Sequence, residues 1–94
     1  YPLTVEGQRL FVRELLSLVA SLDGGRGTGV YYWEPAWLPL KGSTWATEAA
    51  REYMGEQDKP GGNEWANQCI FDYSGNATPA LKEFRAFSDR LRHR

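Results

Sequence analysis

Gly29-Val30-Tyr31-Tyr32-Trp33-Glu34-Pro35-Ala36-Trp37 is the stretch on which the reading of this chain turns. From Gly29 to Trp33 it carries β-branched and aromatic side chains with no polar alternation, the pattern of a short strand covered on both faces. Pro35 ends the run, because a proline has no N–H to give to a ladder. Rings crowd the end of this strand, with Trp33 its last residue and Trp37 four positions on. They are either core or a platform for something that packs against an aromatic face.

Upstream, the spacing predicts an amphipathic helix from Glu6 to Leu22. Phe11, Leu15, Leu18, Val19 and Leu22 form its apolar stripe, Val12 and Leu16 widen it, and Gln8, Arg9, Arg13, Glu14 and Ser17 occupy the other face. Thr4 is the N-cap, Glu6 puts negative charge in the first turn, and Asp23-Gly24-Gly25 supplies the stop. Gly7 costs roughly 1 kcal/mol against Ala if helical. A helix, a glycine-rich turn and a short buried strand make up the second half of a βαβ unit, which implies a parallel sheet.

Downstream, residues 34–68 form a long irregular segment holding Pro35, Pro39, Gly42, Gly55, Pro60, Gly61 and Gly62, broken by a short helix expected from Thr44 to Tyr53. Loops of this length in compact domains are functional or disordered. Trp37, Trp45 and Trp65 argue for order, since disordered segments are poor in aromatics. Asp72-Tyr73-Ser74-Gly75-Asn76 reads as a turn organised by Asp72. Thr78-Pro79 then opens a last helix at the favoured N-cap and N1 positions, with Leu81, Phe84, Phe87 and Leu91 as its buried stripe. Arg90, Arg92, His93 and Arg94 suit its C-terminus by charge.

The 94 residues hold 11 Lys+Arg against 12 Asp+Glu, a formal net charge of -1, so nothing marks a surface for nucleic acid or an anionic membrane. Aromatics reach 14%, with 4 Trp, 5 Tyr and 4 Phe. The single cysteine, Cys69, excludes an internal disulfide and a cysteine-built zinc site, and its apolar neighbours make it a buried small hydrophobe. No apolar stretch approaches the ~20 residues of a membrane span. A chain that begins without Met and passes almost at once into a helix reads as a piece of something longer. One strand cannot satisfy its own edges, so its partners are expected elsewhere, and with them a surface that covers the apolar faces of both helices. A self-contained α+β domain is the alternative.

Three stretches carry a more specific resemblance: Tyr1-Pro2-Leu3-Thr4-Val5-Glu6-Gly7-Gln8 leading into the first helix, the tryptophan-centred Gly29–Trp37 stretch, and Asn67-Gln68-Cys69-Ile70-Phe71-Asp72. Gly42-Ser43-Thr44-Trp45-Ala46-Thr47 and Asn76-Ala77-Thr78-Pro79-Ala80-Leu81 add to it. Together they resemble the closing segments of the endo-β-1,4-galactanases, glycoside hydrolase family 53, from Tyr1 to about Phe87. The resemblance implies an α/β fold, the C-terminal portion of a (β/α)₈ TIM barrel comprising helix 7, strand 8, a long loop 8 and helix 8. A whole barrel takes about 250 residues. On this reading residues 1–94 are part of a single catalytic barrel domain, with 34–68 its long active-site loop.

The implied activity is retaining endo-hydrolysis of β-1,4-galactan, as in type I arabinogalactan, by an extracellular or periplasmic enzyme. Retention needs two carboxylates about 5–5.5 Å apart. In the family these are glutamates at the ends of strands four and seven, so no catalytic residue is assigned within 1–94, and the chain alone is expected to be inactive. Substrate contact falls to Trp33 as floor of a sugar subsite, Trp37 as wall or second platform, and Glu34, which hydrogen-bonds neighbouring backbone or orients site groups. Some members bind a structural calcium. In the best register its ligands here fall near Asn63 and Ala66, and alanine offers no side-chain oxygen, so no metal or other cofactor is expected. The expected partners are galactan or its oligosaccharides and the rest of the barrel, with no nucleic acid and no membrane. Two other functions fit the aromatic content: a non-catalytic carbohydrate-binding module with Trp33, Trp37 and Trp45 as platforms, and a protein-interaction domain whose rings form a hot spot.

Overall fold

The computed structural model describes residues 1–38, 46–56 and 68–93. Helix α1 runs Val5–Ala20, helix α2 Glu48–Tyr53, and helix α3 Pro79–Arg92. The N-terminus of α1 forms as its residue types require: Thr4 Oγ1 accepts from Gly7 N at 3.0 Å, and the Thr4 N–H donates to Pro2 O at 2.8 Å. That turn brings the Pro2 carbonyl so close that a Cβ on Gly7 would sit 1.9 Å from its oxygen. Gly7 is therefore a point of close backbone approach, which is why a residue of low helix propensity stands inside the first turn. At the other end Ser21 caps the helix, two residues short of the expected end at Leu22, and Asp23–Gly25 makes a single 3₁₀ turn with Gly24 and Gly25 at φ 67° and 65°.

Helices α1 and α3 pack on each other, and the core lies along their seam. Val12, Leu16, Ile70 and Ala80 are its buried members, with Val30, Tyr32, Phe71, Phe84 and Phe87 half-buried against them. Tyr32 meets Phe84 edge to face, ring centroids 5.9 Å apart at 82°. The loop before α3 folds as the acid at its head dictates. Asp72 Oδ1 accepts from Ser74 N and Asn76 N, both at 2.9 Å, and Asp72 N donates to Asn76 O at 2.8 Å. Phe71 and Ala77 form an isolated antiparallel bridge across the turn. Cys69 is buried, as expected of a small hydrophobe.

Three expectations need correction. The Gly29–Trp33 stretch forms no strand, and among the described residues no ladder is present at all. A ladder needs a neighbouring strand, and none lies within those residues. The burial pattern of a strand is nevertheless there: Val30 and Tyr32 turn into the core while Tyr31 is fully exposed and Trp33 is 67% exposed. One face is covered, not both.

The helix stripes are also displaced. On α1 the seam is made by Val12 and Leu16, while Phe11, Leu18 and Leu22 stay exposed at 47%, 63% and 49%. On α3 the buried positions are Ala80 and Glu83, Phe84 and Phe87 are half-buried, and Leu81 and Leu91 are exposed. The predicted polar face of α1 is not all solvated either. Arg9 Nη1 reaches across to Glu83 Oε1 of α3 at 2.5 Å, and Arg9 also pairs with Glu6. These contacts raise the Arg9 guanidinium above its ordinary range, the Glu6 bond first and Glu83 second.

The uncovered surface is large. The chain exposes 7376 Å², against roughly 5,500 Å² for a folded monomer of this mass. Its radius of gyration is 17.0 Å, where a compact 100-residue domain has about 13 Å. Two helices and a loop account for one seam of packing, and away from that seam Phe11, Leu18, Leu22, Tyr31 and Trp33 stay exposed among charged and polar neighbours.

Candidate functional site

The aromatic stretch lies beside α1, and the two enclose an open groove of about 240 Å³. Phe11, Val12, Leu15 and Leu16 form the α1 wall, Val30, Tyr31, Tyr32 and Trp33 the other, with Gln68 and Phe84 closing it. The alternation along 30–33 decides what each ring does. Tyr32 points to α3, and Trp33 stands at the groove with most of its indole free.

Among the described residues that line this groove there is no carboxylate or histidine. Its polar members among the described residues are Gln68 and the hydroxyls of Tyr31 and Tyr32, and the Tyr32 hydroxyl is already bonded to Gln68 O. What the arrangement can do is present apolar surface, chiefly an indole face and a row of leucine and phenylalanine side chains.

Trp37 is half-buried and does not line the groove. Its indole N–H is buried and meets no acceptor among the described residues. Glu34 lies between the two tryptophans at φ 52°, the left-handed region that side-chain-bearing residues rarely occupy, and its carbonyl accepts from Trp37 N at 3.5 Å. Residues Glu34–Trp37 thus form a turn centred on Pro35 and Ala36. Trp45, Trp65 and the positions near Asn63 and Ala66 lie outside the described residues, as does most of the 34–68 loop. The described part of the expected Thr44–Tyr53 helix is Glu48–Tyr53, with Thr47 as its N-cap. Among the described residues no group of three or more His, Cys, Asp or Glu is placed to hold a metal.

Sequence reasoning missed the polar cluster under the aromatic stretch. Gln8 Nε2 donates to Cys69 O at 2.9 Å and to Tyr32 Oη at 3.3 Å, Tyr32 Oη donates to Gln68 O at 2.7 Å, and Thr78 Oγ1 donates to Gln8 Oε1 at 3.0 Å. Thr78 stands at the N-cap of α3 as expected, but its hydroxyl serves Gln8 and makes no cap bond. The one available signal was the tyrosine itself: a Tyr in an otherwise buried run needs a partner for its hydroxyl.

The model of the family described as glycosyl hydrolase family 53 matches residues 1–84. This chain belongs to that family. It is similar to the endo-beta-1,4-galactanase of Bacillus subtilis (strain 168), 37% identical over 102 residues covering 90% of this chain and 24% of the relative. It is 33% identical over 88 residues to the arabinogalactan endo-beta-1,4-galactanase of Cellvibrio japonicus (strain Ueda107), covering 92% and 19%. The arabinogalactan endo-beta-1,4-galactanase of Thermothelomyces thermophilus is 29% identical over 84 residues, covering 89% and 19%. The family 53 chain spans about a quarter or less of the length of the curated relatives it matches. No solved structure matches it significantly. Among its described residues no helix is long and apolar enough to cross a membrane.

Proposed function

We propose that this chain is the closing part of a retaining endo-β-1,4-galactanase barrel, supplying helix 7 as α1, strand 8 as Gly29–Trp33, loop 8 as 34–68 and helix 8 as α3. The observation that carries the reading is the one-sided burial of residues 30–33. In a (β/α)₈ barrel alternate residues of a strand face the outer helices and the barrel interior. Val30 and Tyr32 pack toward α1 and α3, which leaves Tyr31 and Trp33 for the interior. Trp33 is last in the strand, at the end where such barrels bind substrate, and its free indole is the floor of a galactose subsite.

The apolar groove beside α1 is the seat of the neighbouring strand and helix, not a ligand pocket. Among the described residues its lining is mostly the apolar surface a barrel core needs, and the Trp33 indole is the part of it left open to substrate. The acid/base and nucleophile come from elsewhere in the enzyme, and residues 1–94 contribute binding only. Trp37 and Glu34 serve the rim of the site, the first as wall and the second by fixing the turn that follows the strand. No metal is assigned to these residues. That the relatives are named as galactanases supports galactan as the substrate, and the cell exterior or periplasm as the place of action is part of the same proposal. A free-standing sugar-binding module is the weaker reading, since Trp37 is half-buried and no sheet among the described residues carries the rings.

The test is Trp33→Ala in the full-length enzyme that contains this chain, assayed on β-1,4-galactan. Loss of the platform lowers kcat/KM about ten-fold, equivalent to about 1.4 kcal/mol of transition-state binding. An unchanged kcat/KM, or no galactan hydrolysis by the unaltered enzyme, refutes the assignment.

A further inference from the structure

We infer that Gln8 and Tyr32 are positioning residues that fix the backbone from which Trp33 projects. The inference rests on the reading of Trp33 as substrate platform and adds the device that holds it. The Gln8 side-chain amide is the hub. Its Nε2 donates to Cys69 O and the Tyr32 hydroxyl, and its Oε1 accepts from the buried Thr78 hydroxyl. The Tyr32 hydroxyl in turn donates a hydrogen bond to Gln68 O. One amide on α1 therefore ties together three pieces of chain that are 24, 61 and 70 residues away in sequence.

The consequence for Trp33 follows from its neighbours. On its N-terminal side Tyr32 is pinned twice, by its hydroxyl to Gln68 and Gln8 and by its ring against Phe84. On its C-terminal side the Pro35 carbonyl accepts from Ile70 N at 2.9 Å, and Ile70 is core. Glu34, at φ 52°, spans the gap. Trp33 itself is 67% exposed, so packing of its own ring holds it only in part. With one pin on each side, its Cα–Cβ vector is set by the clasp beneath it. Preorganisation of this kind matters for a platform, because a misplaced contact far from the reacting atoms still costs rate.

The cluster also has the chemistry of a fixed joint and not of a proton relay. A glutamine amide does not titrate, and each of its contacts uses it as a neutral donor or acceptor. Both ends of the amide are used, so its orientation is set by the network.

The experiment uses the full-length enzyme labelled with 5-fluorotryptophan, the Trp33 line being assigned by its loss in Trp33→Phe. Tyr32→Phe and Gln8→Leu are compared with Tyr73→Phe, which makes the same chemical change at an exposed turn residue. The clasp predicts that the Trp33 fluorine line shifts or broadens in the first two variants and stays put in the third. It also predicts that Tyr32→Phe raises KM on galactan about five-fold, the loss of one hydrogen bond, with a smaller change in kcat. In a Trp33→Ala background the same substitution has almost no effect on KM. An unmoved Trp33 line in Tyr32→Phe and Gln8→Leu overturns the inference, as does a Tyr32→Phe effect on KM that persists in full without Trp33. A line that moves while Trp33→Ala leaves KM unchanged supports the clasp and refutes the platform, so the two failures are distinguishable.

Discussion

The bond between Arg9 and Glu83 ties α1 to α3, and the two ends of that bond are not equivalent. The Glu83 side chain is 11% exposed and Arg9 is its ion-pair partner, while the Arg9 side chain is 24% exposed and also holds Glu6. Removing Arg9 leaves a nearly buried carboxylate without its cation. Such a loss costs about 3–5 kcal/mol for a fully buried pair and about 0–1 kcal/mol at a surface. Partial exposure puts Arg9→Ala at about 2 kcal/mol. Removing Glu83 leaves Arg9 with water and Glu6, so Glu83→Ala costs about 1 kcal/mol or less. In a barrel of about 250 residues the first lowers Tm by roughly 4 °C. Thermal melts of both variants in the full-length enzyme at pH 7, with and without 0.5 M salt, provide the check. Equal losses, or an Arg9→Ala effect that salt abolishes, refute the claim that this pair is a shielded seam contact.

Two further outcomes follow from the helix start. Gly7→Ala destabilises although alanine is the better helix former by about 1 kcal/mol, because its Cβ would meet the Pro2 carbonyl; a rise in Tm on that substitution contradicts the close approach. The Glu6 carboxylate is held below its ordinary range, chiefly by its hydrogen bond from Arg9. A depressed carboxylate contributes stability above its unfolded value, about 4.3, and loses it as pH falls through the folded value. Glu6→Gln therefore lowers Tm slightly at pH 7 and not at pH 2–3, and an equal loss at both contradicts the assignment.

Local features were legible because their causes are local. Thr4, Pro79 and Asp72 each act within four residues, and the α1 start, the α3 start and the turn between Asp72 and Asn76 form where those residues place them. Family membership was legible for the same reason, through short runs of specific residues. The choice of helix face was not. Phe11, Leu15 and Leu18 make as good a stripe as Val12 and Leu16, and which of them reaches α3 depends on where α3 lies. The Gln8 cluster was hidden for a related reason, since a glutamine one turn into a helix reads as solvated until its partners 24 to 70 residues away are brought to it. The sequence places Trp33 and Trp37 four residues apart without showing that the first ring is exposed and the second half-buried, because burial depends on neighbours distant in the chain.

The bare faces of α1 and of the Tyr31–Trp33 segment are the feature on which the barrel assignment depends, and a thermal melt of residues 1–94 expressed alone tests it most directly. Residues 1–94 alone are expected to show no cooperative transition, with association or binding of a hydrophobic dye in place of a folded monomer. A sharp, reversible, monomeric melt without dye binding contradicts it, because a chain that is complete by itself has no face left for a barrel to cover.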